Sequence, residues 1–321
     1  SGVIFTAGST ESNNIAIKGI LDNFIDSSKR NKIIASAIEH KAVLNIMPEY
    51  ERAGFEVVVL PVDEQGVFDL DFFNSQIDEK TILVSLQLVN NEIGTIEPIK
   101  KMAERTHEVG AVFHSDGTQG VGKIPIDIEE IGIDLFSMSA HKFYGPKGVG
   151  ALVFRNGAMM KHLQPQFFGG GQEKNLRPGT KNVPGIVGMG EAARIAKKNL
   201  PLESKRIEAI RDRFEFMLLN DWPDKLSIHA QKVKRIPNTS SIEFQGYSGE
   251  EILLSTKVFA AGLGSACSSR TIAPSHVLTA IGLNREQASS TIRFSFGRFN
   301  TEEEIDLVVK ELNRLSSHLA F

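Results

Sequence analysis

Ala111-Val112-Phe113-His114-Ser115-Asp116 and Leu135-Phe136-Ser137-Met138-Ser139-Ala140-His141-Lys142 are two apolar, strand-like runs, the first closing on a carboxylate and the second on a histidine and an amine. Runs of the same kind occur at residues 3–6, 32–36, 56–60, 81–86 and 149–154, and amphipathic helical patterns lie between them, clearest at 99–109. Strand and helix in alternation predict an α/β fold, a mostly parallel seven-stranded-type sheet with flanking helices. Ligands gather where the strands of such sheets end, so Asp116 and Lys142 are placed where sites form.

From about residue 183 the pattern changes to longer helices, expected at 185–198 and 202–219, then a strand at 239–244, a strand at 291–296 and a helix at 301–317. Thr301 and Glu304 form a Thr-x-x-Glu capping box for that last helix. The chain therefore reads as a large domain over 1–200 and a smaller α+β C-terminal domain over 201–321. Its 321 residues, 41% hydrophobic composition and net charge of −3 carry no electrostatic footprint for nucleic acid or an anionic membrane. No window approaches the ~18 apolar residues that span a bilayer, and the start has no basic region or cleavage site. A cytoplasmic protein acting on a small molecule is expected. One cysteine, Cys267, leaves no intrachain disulfide and no multi-cysteine metal site, and no metal is expected. The chain enters without Met on a strand-like run, as a chain begun inside a longer protein would.

Gly117, Gly122 and Lys123 fit a phosphate-loop spacing, but Ile124 stands where a Mg²⁺-binding Ser or Thr is needed, which argues against an ATPase. The acid and amine at two strand ends suit pyridoxal chemistry instead. There a lysine holds the cofactor, and a carboxylate keeps the ring nitrogen protonated so that the ring can accept carbanion electrons. A lysine before a Gly-Pro-Lys-Gly turn is ordinarily a solvated residue, so its neighbours decide. Ala7-Gly8-Ser9-Thr10-Glu11-Ser12-Asn13 follows a strand and offers hydroxyls and backbone N–H groups at a helix start, a phosphate cradle with Ser9 and Thr10 as candidates, or a plain helix cap. Cys267 stands in Gly264-Ser265-Ala266-Cys267-Ser268-Ser269, too small and polar for a core strand, which reads as a loop carrying an accessible nucleophile. His40 and Arg293 are suggestive in context and bland alone.

These stretches resemble the cysteine desulfurases, class V aminotransferase-like enzymes of pyridoxal-phosphate fold type I. The resemblance runs end to end through Phe5-Thr6-Ala7-Gly8-Ser9-Thr10-Glu11-Ser12-Asn13, Glu39-His40-Lys41-Ala42-Val43, Val89-Asn90-Asn91-Glu92-Ile93-Gly94, Ser139-Ala140-His141-Lys142, Gly169-Gly170-Gly171-Gln172-Glu173, Gly264-Ser265-Ala266-Cys267-Ser268 and Ile292-Arg293-Phe294-Ser295. It implies pyridoxal 5'-phosphate as cofactor, with Lys142 the Schiff-base lysine and base at Cα, Asp116 the pyridinium partner, and Gln119 and Asn91 the contacts to the phenolic oxygen and the substrate. His40 would stack on the ring. Ser9, Thr10, Ser139 and His141 would hold the phosphate, with Thr180 reaching in from the second subunit of a homodimer. Arg293 would bind the carboxylate of L-cysteine, a fork-to-carboxylate match.

The implied catalytic set is Lys142, Cys267 and His40. Sulfur leaves L-cysteine as a persulfide on Cys267, alanine is released, and the persulfide passes to an acceptor. Residues 267–274 are similar to the subclass with the longer catalytic loop, which serves an iron–sulfur scaffold or a tRNA-thiolation protein. Ser115, Gly117 and Pro178 depart from the commonest family residues. The family also has a further N-terminal segment with an Asn-Asn-Ala-Thr-like motif, and this chain is expected to begin after it. Two rivals share the fold: selenocysteine lyase, and a non-catalytic binding or regulatory module.

Overall fold

The computed structural model describes residues 2–27, 29–264 and 274–319, so Cys267 lies outside the described residues. The chain divides into two compact units, one of Ser1–Pro61, Phe68–Asn90 and Glu97–Leu200, the other of Val62–Val67, Asn91–Ile96 and Pro201–Phe321. Two short stretches from the first half of the chain thus belong to the second unit.

The first unit is built on a seven-stranded sheet of β1 (Gly2–Thr6), β2 (Lys32–Ser36), β3 (Glu56–Leu60), β4 (Thr81–Ser85), β5 (Val112–Asp116), β6 (Leu135–Ser139) and β7 (Gly150–Phe154). Their spatial order is β1-β7-β6-β5-β4-β2-β3. The β6–β5, β5–β4, β4–β2 and β2–β3 pairs are parallel, while β7 runs antiparallel to both β6 and β1. Ile33, Ile34 and Ala35 in β2, and Ile82, Leu83 and Val84 in β4, are all buried, as central parallel strands covered on both faces require. Burying each Ile, Leu or Val side chain among them stabilises the fold by about 1.5–3 kcal/mol.

The helix Ser9–Leu21 buries Ile15, Ile17, Ile20 and Leu21 in the same core as Ile33, Leu83, Leu135 and Phe154. Ser12 and Asn13 of that helix are equally buried. Polar side chains in core-facing positions need partners: Ser12 Oγ lies 2.8 Å from Thr6 Oγ1 at the end of β1, and Asn13 Nδ2 donates to the carboxylate that ends β5. Gly117 and Lys123 lie in consecutive turns and not at the start of a helix, and a Cβ on Gly117 would stand 1.9 Å from the Phe136 ring. The phosphate-loop spacing is a packing feature.

The second unit holds a four-stranded antiparallel sheet of β8 (Leu226–Ile228), β9 (Thr239–Phe244), β10 (Gly262–Leu263) and β11 (Thr291–Ser295), in the order β10-β11-β9-β8. Phe214, Trp222, Phe244, Phe294 and Phe296 form its aromatic core with Ile305, Val309 and Leu312 of the helix Glu302–Leu319. That helix opens with the expected capping box: Glu304 N donates to Thr301 Oγ1 at 3.4 Å and Thr301 N to Glu304 Oε2 at 3.3 Å. The stretch Asn91–Ile96 joins this unit through backbone bonds, Ile96 N to Lys234 O and Gly94 O from Ile236 N.

Where two helices were expected on either side of Pro201, one helix runs over Val183–Asp221. Proline removes one backbone donor and crowds the preceding turn. Packing compensates on each side, through Met189 and Ala192 in one core and Ile207, Ile210, Phe214 and Leu218 in another. Among the described residues no helix is long and apolar enough to cross a membrane.

Candidate active site

In the first unit the polar residues collect where β1, β2, β5 and β6 end. Asp116 closes β5 and is 7% exposed. Its Oδ2 accepts from Asn13 Nδ2 at 2.8 Å and its Oδ1 from the Thr118 backbone N–H at 2.9 Å. Two donors orient the carboxylate and leave it lone pairs for a third. Two residues earlier on β5, His114 is fully buried between Ser85 Oγ, 2.8 Å from Nδ1, and Ser137 Oγ, 3.0 Å from Nε2. Burial lowers its pKa to about 4 against the opposing pull of Asp116, so the imidazole is neutral. The serine clamp then stiffens the floor of the site without adding a charge.

β6 delivers Ser139, His141 and Lys142. Ser139 Oγ and His141 Nδ1 are 2.8 Å apart, and Lys142 is partly buried in the 3₁₀ turn Ala140–Phe143 that follows the strand. Partial burial lowers the His141 pKa, and Lys142, Lys147 and Lys123 lower it further by repulsion. A cavity of about 730 Å³ is lined by Gly8, Ser9, Thr10, Ser139, His141 and Lys147, among others. The first N–H groups of the helix Ser9–Leu21 have no intrahelical acceptors, so with Lys147 this wall is suited to an anion. Gly150 makes the approach possible: a Cβ there would stand 2.6 Å from both Gly8 Cα and Met138 O. Asp116, Gln119 and Lys142 lie at adjoining strand ends outside this lining.

His40 follows β2 and caps the short helix Lys41–Leu44, its Nδ1 accepting from Ala42 N at 3.1 Å. That bond assigns the ring proton of the neutral imidazole to Nε2. Before it, Glu39 is fully buried and its Oε1 accepts from Ser36 Oγ at 2.7 Å and Gln87 N at 2.8 Å. Burial pushes its carboxyl up to about 8. Gln119 accepts from Lys123 Nζ at 3.3 Å, and Thr180 is exposed beside Lys181, which pairs with Glu173 at 2.7 Å.

Asn91 and Arg293 belong to the second unit. Arg293 Nη1 donates to Asn91 O at 2.8 Å, while its buried Nε has no hydrogen-bond partner among the described residues. A guanidinium held by one edge with a spare donor suits a carboxylate. The same orphan pattern surrounds Asp116, where buried Asn13 Oδ1 and Thr118 Oγ1 lack partners among the described residues. The polar atoms around Asp116, the anion cradle and the amine in the turn after β6 fit pyridoxal phosphate. No group of three or more potential metal ligands occurs among the described residues.

Asn13, Glu39 and His114 were not singled out from the sequence. Their signal is weak there: a polar residue on the apolar face of a helix, and two titratable residues in or beside apolar strands.

A strand-end acid, an amine in the turn after the neighbouring strand and a helix-start wall suited to an anion lie together in an α/β unit. The chain belongs to the class V aminotransferase family, whose model matches residues 1–308, and enzymes of that family work with pyridoxal phosphate. It is 44% identical over 317 residues to the cysteine desulfurase IscS of Pseudomonas aeruginosa, covering 99% of this chain and 77% of that one. Over 308 residues it is 43% identical to the IscS of Rickettsia bellii, covering 96% and 74%. A solved NifS-like protein superposes with a TM-score of 0.89 at 37% identity, over 99% of this chain and 83% of that one. A NifS-like protein from Rickettsia africae gives 0.84 at 29% identity, over 98% and 81%.

Proposed function

We infer that the protein is a cysteine desulfurase, which removes sulfur from L-cysteine, leaves it as a persulfide on Cys267 and releases L-alanine. The observation that supports this most is the buried Asp116 carboxylate, oriented by Asn13 and Thr118 at a strand end and flanked by polar atoms that lack hydrogen-bond partners among the described residues. Pyridoxal phosphate, when bound, supplies an aldehyde that condenses with amines and a ring that stores an electron pair. Asp116 holds the proton on its ring nitrogen. Ser9, Thr10, Ser139 and His141 hold its phosphate, Gln119 and Asn91 orient its phenolic oxygen and the substrate, and His40 lies on its ring face.

Arg293 binds the substrate carboxylate. Lys142 Nζ anchors the cofactor and takes the proton from the substrate Cα. The Cys267 thiolate forms an S–S bond to the substrate sulfur as the carbon–sulfur bond breaks, so the thiol must be ionised to act. Thr180 completes the phosphate site of a second copy in a homodimer, and the persulfide passes to an iron–sulfur scaffold or a tRNA-thiolation protein.

Protein reconstituted with pyridoxal phosphate should be yellow and release sulfide from L-cysteine. Lys142→Ala should lose the colour, and Cys267→Ala should keep the colour and release no sulfide. A protein that stays colourless with added cofactor, or a Cys267→Ala variant that releases sulfide at the normal rate, overturns the reading.

A further inference from the structure

Glu11 is out of place on a wall suited to an anion. It lines the same cavity of about 730 Å³ as Ser9, Thr10 and Lys147. It stands in the first turn of the helix Ser9–Leu21, whose N-cap, Gly8, supplies no side-chain bond. The open N–H groups and the positive end of the helix favour a phosphate there, and an uncompensated carboxylate would repel it. Both Glu11 oxygens are engaged. Oε2 accepts from the Ala7 backbone N–H, and Oε1 accepts from Arg177 Nε at 2.9 Å. The Arg177 and Glu11 side chains are 28% and 16% exposed, so water and salt screen the pair only in part.

A second carboxylate repeats the arrangement two residues earlier. Glu173 Oε2 accepts from the Phe5 N–H at 3.0 Å, and Glu173 Oε1 pairs with Lys181 at 2.7 Å. β1 is an edge strand of its sheet, so N–H groups along its outer side take acceptors from elsewhere. The stretch 172–181 thus brings a cation to each of the two carboxylates that serve β1 and the residue after it. Its successive left-handed residues Glu173, Lys174 and Asn175 are a conformation that such anchors have to hold. Of the other charged side chains on the cavity, Lys18 is paired with Glu49 at 3.2 Å, and burial and neighbouring lysines hold His141 toward its neutral form. The charge met by a phosphate therefore turns on Lys147, on Glu11 and on what neutralises Glu11.

We propose that Arg177 is a positioning residue for cofactor binding: it holds the Glu11 carboxylate on the Ala7 N–H and cancels its charge beside the phosphate cradle. The inference rests on the pyridoxal phosphate reading of the site. Arg177 acts through Glu11, so removing the guanidinium leaves a bare carboxylate next to a phosphate. An uncompensated like charge at a partly exposed site costs on the order of tenfold in affinity.

The test titrates the full chain, freed of cofactor, with pyridoxal phosphate and separately with pyridoxal, which has the same ring and aldehyde but no phosphate. Binding is read from absorbance. Arg177→Met should raise the Kd for pyridoxal phosphate about tenfold and leave that for pyridoxal within about threefold. The loss should shrink in about 0.5 M salt. Glu11→Gln keeps an oxygen for the Ala7 N–H and removes the charge, so it should tighten pyridoxal phosphate about threefold and leave pyridoxal unchanged. Combining the two substitutions should return the pyridoxal phosphate Kd to within about threefold of the parent. An Arg177→Met chain that binds pyridoxal phosphate as the parent does, or that loses both ligands equally, overturns the proposal. So does a Glu11→Gln chain that binds pyridoxal phosphate about tenfold more weakly, a result available even if Arg177→Met fails to fold. A parent that binds pyridoxal phosphate no better than pyridoxal overturns the cofactor reading instead.

Discussion

Glu39→Gln should change how the stability of the first unit depends on pH. Glu39 is fully buried, and burial raises its carboxyl from 4.5 to about 8, opposed by the bonds from Gln87 and Ser36 and assisted by the charge of Asp116. The folded protein keeps this proton up to about pH 8, whereas the unfolded chain releases it above about 4.5. Between those values the unfolded state binds fewer protons, so stability falls as pH rises. The slope is about 1.36 kcal/mol per pH unit, and the total loss approaches about 5 kcal/mol once the pH passes the folded value. Glutamine retains an oxygen for Ser36 and Gln87 and does not ionise.

The variant should therefore match the parent at the acid end of the range and become progressively more stable than it toward the alkaline end. Urea unfolding followed by circular dichroism from about pH 5 to about pH 9 measures the difference. Parallel stability profiles for the two proteins would refute a buried, protonated Glu39. The same ionisation in the parent adds a negative charge near Asp116, so cofactor retention should be compared across that range as well.

Asn13→Ala removes the donor 2.8 Å from Asp116 Oδ2 and leaves a buried carboxylate short of one bond. It should cost about 1–3 kcal/mol of stability and speed the loss of yellow colour on dialysis, both read against the parent. Arg235 and Glu215 form a bidentate pair at 2.7 and 2.8 Å, each side chain 6% exposed. Arg235→Ala strands the carboxylate and should cost about 3–5 kcal/mol, read through Trp222, which is packed in the core of the same unit. Arg235→Met combined with Glu215→Leu should recover most of that loss.

Local order was legible in the chain because it is written over short distances. The short apolar runs at 32–36 and 56–60 become β2 and β3 with the expected limits, and the Thr301 capping box forms as its spacing requires. Motif residues at strand ends, Asp116 and Lys142 above all, were recognisable from the elements that carry them. Two helices were expected at 185–198 and 202–219, and the single helix Val183–Asp221 was out of reach because the two cores that hold it on either side of Pro201 are tertiary. Strand order was equally out of reach: β1 lies beside β7 although the chain between them supplies five other strands of that sheet.

The sequence by itself determined the strands of the large sheet and which chemical groups stand at their ends. Tertiary structure alone decided how those groups are held. Asn13 reaches Asp116 across 103 residues, Glu92 reaches Ser275 across 183, and Asn91–Ile96 joins a unit built mainly from the far end of the chain. Periodicity and turn chemistry depend on neighbours within a few residues. The charge state of Glu39, the neutrality of His114 and the orientation of Asp116 depend on burial and on donors brought from distant segments, and those exist only once the chain has folded.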